Sequence, residues 1–157
     1  MKLFPLSIVA AATALTLASC SDQAEQRMAG TSRSPEREPV FEQDGEAAYY
    51  ADQYQSRTTA SGEPMDQSDL TAASRTLPLG AHVTVTHREN GKSVSVVVND
   101  RGPHVEGRVI DLSKEAARRL DMTHDGVAPV RIQARPSQQP TPEIRDQVLE
   151  AARSSAR

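Results

Sequence analysis

Two runs of alternating valine constrain this chain more than any other feature. Residues 82–87 (HVTVTH) set Val83 and Val85 between polar neighbours, and residues 93–99 (SVSVVVN) repeat the pattern with Val94, Val96 and Val98. A period of two puts every valine of a run on one face of a strand. Branching at Cβ favours the strand over the helix. Between the runs stands Arg88-Glu89-Asn90-Gly91-Lys92, whose Asn-Gly pair suits the positive φ angles of a tight turn. The three segments predict a β-hairpin, and a lone hairpin with an apolar face needs further strands to cover it.

Further strands are predicted at 127–134 (VAPVRIQA) and, in shorter form, at 47–51 (AAYYA) and 108–111 (RVID). Ser113 suits the N-cap of a helix over 114–121, with Ala116, Ala117 and Leu120 on one face. Short strands between turns, with one embedded helix, point to a barrel or a sandwich. This compact domain is expected over residues 45–134. Beyond it, residues 135–141 (RPSQQPT) read as a linker. Thr141-Pro142-Glu143 can start a short helix through Ala152, with Pro at the first helical position. Ile144, Val148 and Leu149 give that segment a narrow apolar face, which fits either a surface tail or a partner-binding helix.

The first 20 residues (MKLFPLSIVAAATALTLASC) follow the plan of a secretory signal: one Lys, an apolar run, then small residues. The alternative, a transmembrane helix, would need about 20 apolar residues and a cationic flank. Leu17-Ala18-Ser19-Cys20 resembles a bacterial lipobox, which implies removal of residues 1–19 and lipidation of Cys20. Residues 21–44 carry six acids against three Arg, with Pro35 and Pro39 and no apolar periodicity, so a flexible tether is expected there. Ser21 after the cysteine leans toward the outer membrane.

Composition removes several function classes. The net charge of −3 leaves no basic excess for a nucleic-acid groove. Aromatic residues make up 3% of the 157 residues and tryptophan is absent, which argues against a base-stacking platform. The single Cys allows no internal disulfide, and His82, His87, His104 and His124 fit no metal-ligand spacing, so neither metal nor cofactor is expected.

Asn99-Asp100-Arg101-Gly102-Pro103 follows directly from the apolar strand and puts a carboxylate at a barrel mouth. Thr59-Ala60-Ser61-Gly62-Glu63-Pro64 puts Glu63 in a turn-rich loop. Two carboxyl groups on separate loops suit acid/base chemistry on a glycosidic bond, although Asp66, Asp69 and Asp111 compete for the role and a capping function is the commoner one. His104 follows Pro103 and is placed to line the mouth. Arg101 adjoins Asp100 but should point to the other side of an extended chain. Ser74 lacks a G-x-S-x-G setting, so a serine-hydrolase elbow is not supported.

In order along the chain come Tyr49-Tyr50, RTTASGE (57–63), LTAASRTLPLG (70–80), VSVVVNDRGP (94–103), GRVIDLS (107–113) and GVAPV (126–130). The set resembles the rare lipoprotein A (RlpA) family of peptidoglycan lytic transglycosylases and covers nearly all of residues 45–134. The resemblance implies a small, mostly β, double-psi β-barrel. It implies cleavage between N-acetylmuramic acid and N-acetylglucosamine with a 1,6-anhydro product. It makes Asp100 the acid/base and Glu63 a second functional carboxylate, with Tyr50, Arg101 and His104 as substrate-binding residues. Ser74 stands where the family has a functional His, and Ala51, Gln55 and Ser56 stand where Gly, His and Gly are frequent. A hydroxyl cannot carry an imidazole's charge near neutral pH. The alternative is therefore an impaired, lipid-anchored glycan-binding or septal accessory protein. The implied partners are glycan strands, the membrane and division-site proteins, and the 23 residues after Ala134 are too few for the family's C-terminal SPOR domain.

The anchor can be tested directly. Cys20→Ser should leave the protein without lipid and release it from the membrane fraction; full retention on membranes would refute the lipobox reading.

Overall fold

The computed structural model describes residues 38–157. The signal segment, Cys20 and most of the expected tether lie outside these residues. The valine alternation is satisfied by closure of six short strands into one barrel. In chain order the elements are β1 (Phe41–Tyr49), β2 (Thr71–Ala73), β3 (His82–His87), β4 (Ser93–Asp100), β5 (Arg108–Leu112), α1 (Lys114–Arg119), β6 (Val127–Ala134) and α2 (Pro142–Ser155). Around the barrel the strands run β1-β5-β2-β4-β3-β6, and β6 returns to β1. The β1–β5 and β2–β4 pairs are parallel and the other four antiparallel. This is the double-psi β-barrel that the family resemblance implies.

The hairpin pairs Val83 with Val96 and Val85 with Val94. Their side chains point inward with Val98, Ile110, Leu112, Val130 and Ile132, all 6% exposed or less. Each such side chain contributes about 1.5–3 kcal/mol of burial, an upper figure because the unfolded chain already hides some of it. At the hairpin tip only Gly91 takes a positive φ, 72°. Asn90 serves otherwise: its Oδ1 accepts the Lys92 N–H at 2.8 Å and its Nδ2 donates to the Leu120 carbonyl at 2.9 Å, tying the tip to the end of α1. Ser113 caps α1 through its Oγ, which accepts the Ala116 N–H at 3.3 Å.

The first strand begins earlier than the sequence reading placed it. Residues 41–44, expected in the tether, are barrel wall: Phe41 pairs with Ala134 and the ladder runs unbroken to Ala48↔Val127. The acids that suggested a tether are its outward positions. Phe41 is buried while Glu42 and Asp44 are exposed, and Asp44 holds Arg131 through two bonds of 2.8 and 2.9 Å. Gly45 is required by close approach, because a Cβ there would collide with the Val109 side chain.

The C-terminal segment is a packed helix. Thr141 Oγ1 caps α2 by accepting the Ile144 N–H at 3.3 Å, Pro142 opens it, and Val148 and Ala152 are buried against the barrel on the β1 side. No helix among the described residues is long and apolar enough to cross a membrane.

The packing phase makes a stability prediction. Ile110→Ala, fully inside, should cost about 2–5 kcal/mol, whereas Val97→Ala, 36% exposed on β4, should cost well under half as much. Urea denaturation midpoints compare the two; equal losses would mean the inward faces are wrongly assigned.

Candidate active site

Two irregularities in strand pairing decide which side chains leave the core. Along the β2–β4 pair, Thr71 faces Val97, Ala72 faces Val98 and Ala73 faces Asp100, so Asn99 is an extra residue with no partner on β2. Val94, Val96 and Val98 point inward, and strict alternation would carry Asp100 in after them. The bulge reverses the phase: Asn99 is buried and Asp100 is half-exposed. The bulged carbonyl of Asn99 accepts the Ser61 N–H at 3.0 Å. A second bulge lies in β5, where Glu46 faces Arg108 and Ala47 faces Ile110, leaving Val109 extra. Three apart on a regular strand, Arg108 and Asp111 would occupy opposite faces. Here they touch, with Arg108 Nη2 donating to Asp111 Oδ2 at 3.0 Å.

Ala73 is in register with Asp100 on one side and Asp111 on the other. The two carboxylates therefore stand side by side across three adjacent strands, their backbones roughly 10 Å apart at two strand spacings. The buried Ala73 stands between them in the sheet, and the Tyr50 phenol faces both.

Asp100 is held by three donors. Tyr50 Oη donates to Oδ2 at 2.9 Å, and the N–H groups of Ala60 and Arg101 donate to Oδ1 at 2.9 and 2.8 Å. Tyr50 is placed by its own N–H, which donates to the Leu112 carbonyl at 3.0 Å. Burial, and after it the adjacent Asp100 charge, push the Tyr50 phenol far above its ordinary value, so it remains a donor throughout the neutral range. Asp111 is more enclosed. Burial raises its pKa, partly offset by the Arg108 guanidinium and the His104 imidazole, and its Oδ1 is buried without a hydrogen-bond partner.

Tyr50, Asp100, Arg101 and His104 line one cleft of about 630 Å³. The cleft also includes Tyr54, Arg57 and Arg108, which the sequence does not mark as site residues. The Tyr54 ring lies 5.5 Å from that of Tyr50, with the Arg57 guanidinium 5.3 Å over its face. Asp111 also lines the cleft, where the sequence reading held it only as a competitor. A larger groove of about 730 Å³ runs between α2 and residues 75–78, on the other side of Arg101, and holds neither Asp100 nor Asp111. Among the described residues no group of three His, Cys, Asp or Glu side chains is placed to hold a metal ion.

Glu63 and Ser74 are not among the residues that line the cleft. The Thr59 N–H donates to the Glu63 carbonyl at 2.8 Å and Gly62 takes φ 92°; this tight turn aims the Ala60 N–H at Asp100 and leaves Glu63 exposed. Ser74 is fully buried, and its Oγ accepts the N–H groups of Thr76 and Leu77 at 3.3 and 3.2 Å. It caps a turn and presents no group to the cleft. The Arg101 guanidinium is engaged with that same turn, donating to the Ser74 and Leu77 carbonyls at 3.0 and 2.7 Å.

A closed six-stranded barrel of this topology belongs to the double-psi class. Residues 42–132 match the family described as lytic transglycolase, and the chain belongs to that family. Over 93 residues it is 52% identical to a probable endolytic peptidoglycan transglycosylase RlpA of Treponema pallidum (strain Nichols), covering 59% of this chain and 29% of that protein. Over 113 residues it is 41% identical to the endolytic peptidoglycan transglycosylase RlpA of Vibrio cholerae serotype O1, covering 70% and 43%. The chain thus spans less than half the length of the curated relatives it matches. Among solved structures, an expansin of Clavibacter michiganensis matches 60% of this chain and 50% of its own at 26% identity, with a TM-score of 0.48.

The raised pKa of Asp111 has a signed consequence for stability. The folded state holds this proton more tightly than the unfolded state, so the contribution is present at low pH and is lost as pH rises from the ordinary value of 3.8 through the raised one. Asp111→Asn removes that loss. Its melting temperature relative to the natural chain should therefore climb as pH rises from 3 to 7; a flat or falling difference would contradict the burial described.

Proposed function

We propose that this chain is a peptidoglycan lytic transglycosylase that cleaves glycan strands between N-acetylmuramic acid and N-acetylglucosamine. The observation that carries the reading is Asp100, half-exposed in the cleft and fixed by Tyr50, Ala60 and Arg101, in a chain of the lytic transglycolase family. Cleavage without water needs one proton given to the glycosidic oxygen and one taken from the muramoyl 6-hydroxyl as it attacks C1. A carboxyl group at position 100 can serve both steps, so this chemistry requires no metal. Tyr50 and Tyr54 offer rings against which a sugar face can rest, and His104 and Arg57 supply donors at the rim.

The alternative of a non-cleaving glycan binder rested on Ser74. Position 74 is a buried turn cap here, so no observation of the cleft favours that alternative over cleavage. The same proposal puts the protein in the cell envelope, held by lipid on Cys20 at the outer membrane with its barrel in the periplasm, and includes recruitment by division-site proteins. The small-residue run ending at the only cysteine supports the anchor.

Mass spectrometry of purified glycan strands after incubation tests the reading. The natural chain should release anhydromuramoyl ends. Asp100→Asn should lower the rate about a hundredfold or more. Glu63→Gln, altering an exposed side chain outside the cleft, should change it by only a few-fold. Reducing ends would refute the proposal, and undiminished cleavage by Asp100→Asn would show that the acid/base is a different residue.

A further inference from the structure

We propose that Asp111 is a second catalytic carboxyl of this cleft: it delivers the proton to the departing glycosidic oxygen, while Asp100 accepts the proton of the attacking 6-hydroxyl. The assignment rests on the reading of the cleft as a glycan-cleaving site and divides between two residues a task that one carboxyl group can perform alone.

The sheet geometry carries it. Ala73 is paired with Asp100 through the parallel β2–β4 ladder and with Asp111 through the antiparallel β2–β5 ladder. Residues directly opposite on neighbouring strands point to the same face. Asp100, Ala73 and Asp111 thus form a row across the sheet, with its smallest member in the middle. Two strand spacings put the two backbones roughly 10 Å apart, on the scale over which paired carboxyl groups act on sugars. Both aspartates line the same cleft.

The surroundings of the two differ in the sense that a division of labour needs. Asp100 receives three donors, which meet both of its oxygens. Asp111 receives one, from Arg108, and its Oδ1 is buried without a partner. Arg108 is a single-point neighbour and not a two-point clamp, since its Nε is also buried and unpartnered. The groups that face Asp111 come from each element around it: Arg108 on β5, His104 on the segment after β4, Tyr50 at the end of β1 and Asp100 at the end of β4. Burial outweighs Arg108 and His104 in setting its proton affinity.

The proton count closes. As the C1–O4 bond breaks, its electron pair goes to O4, which takes the Asp111 proton and leaves as a hydroxyl. O6 then bonds to C1 and its proton passes to Asp100. The turn ends with Asp111 ionised and Asp100 protonated, and exchange with solvent in the open cleft restores both. No oxidant, reductant or added water is consumed.

The test uses the full chain on purified glycan strands, with anhydromuramoyl ends read by mass spectrometry across pH. Asp111→Asn should lower the rate about a hundredfold or more while glycan retention in a pull-down is unchanged. Arg108→Gln removes the cation that helps Asp111 to ionise, so the high-pH limb of the rate profile should move to higher pH. Rates within threefold of the natural chain for Asp111→Asn, beside an inactive Asp100→Asn, would overturn the role of Asp111 and leave the proposed function standing. Absence of anhydro ends from the natural chain would overturn both. Should Asp111→Asn fail to fold, the Arg108→Gln limb decides: a limb that stays in place or moves down overturns the assignment.

Discussion

Inward packing of valine at every second position of β3 and β4 is the interaction on which the rest of this molecule depends. Val83, Val85, Val94, Val96 and Val98 need a common interior, and strands this short supply one only when the sheet closes on itself. Closure falls to β1, which pairs with β5 on one side and β6 on the other. That strand must be long, and it must be smooth where the neighbouring wall swells. Gly45 satisfies the second demand beneath Val109.

A perfectly regular barrel would have no site. Alternation would send Asp100 into the core behind Val98, and would divide Arg108 from Asp111. One extra residue in β4 and one in β5 invert the phase at just these points, and the short strand β2 lies between the two strands, with Ala73 in register with Asp100 and Asp111. The cleft is therefore made by the same ladders that make the core, and its carboxyl groups stand on strands and not on loops, which favours a fixed geometry. The loop over residues 59–63 completes it by lending one N–H to Asp100. Burial then sets the chemistry, keeping Tyr50 a donor and strengthening the hold of Asp111 on its proton.

Much of this was legible in the sequence, and the reasons are local. The hairpin and β6 were written in period-two patterns, and α1 in the cap at Ser113. Asp100, Arg101 and His104 were adjacent to a readable strand end, so their gathering at one mouth followed from chain continuity. The remainder depends on partners distant in sequence. Three residues are too few for β2 to show a period, and the acids of residues 41–44 look like a tether until Ala134 is seen to pair with Phe41. Asp111 could not be separated from other acids because its place depends on the Val109 bulge, which is a property of pairing with β1. Glu63 and Ser74 were drawn toward the site by family resemblance, whereas a tight turn and a buried cap hold them outside the cleft.

If the two carboxyl groups divide the chemistry, the scissile bond of a glycan strand lies in the cleft between Asp100 and Asp111. A crystal structure of the Asp100→Asn protein with a short glycan containing an intact N-acetylmuramic acid–N-acetylglucosamine linkage tests it most directly. The bridging oxygen should lie within hydrogen-bond reach of the Asp111 carboxyl, with the 6-hydroxyl facing residue 100. A glycan seated in the groove beside α2, or one whose linkage lies away from both residues, would contradict it.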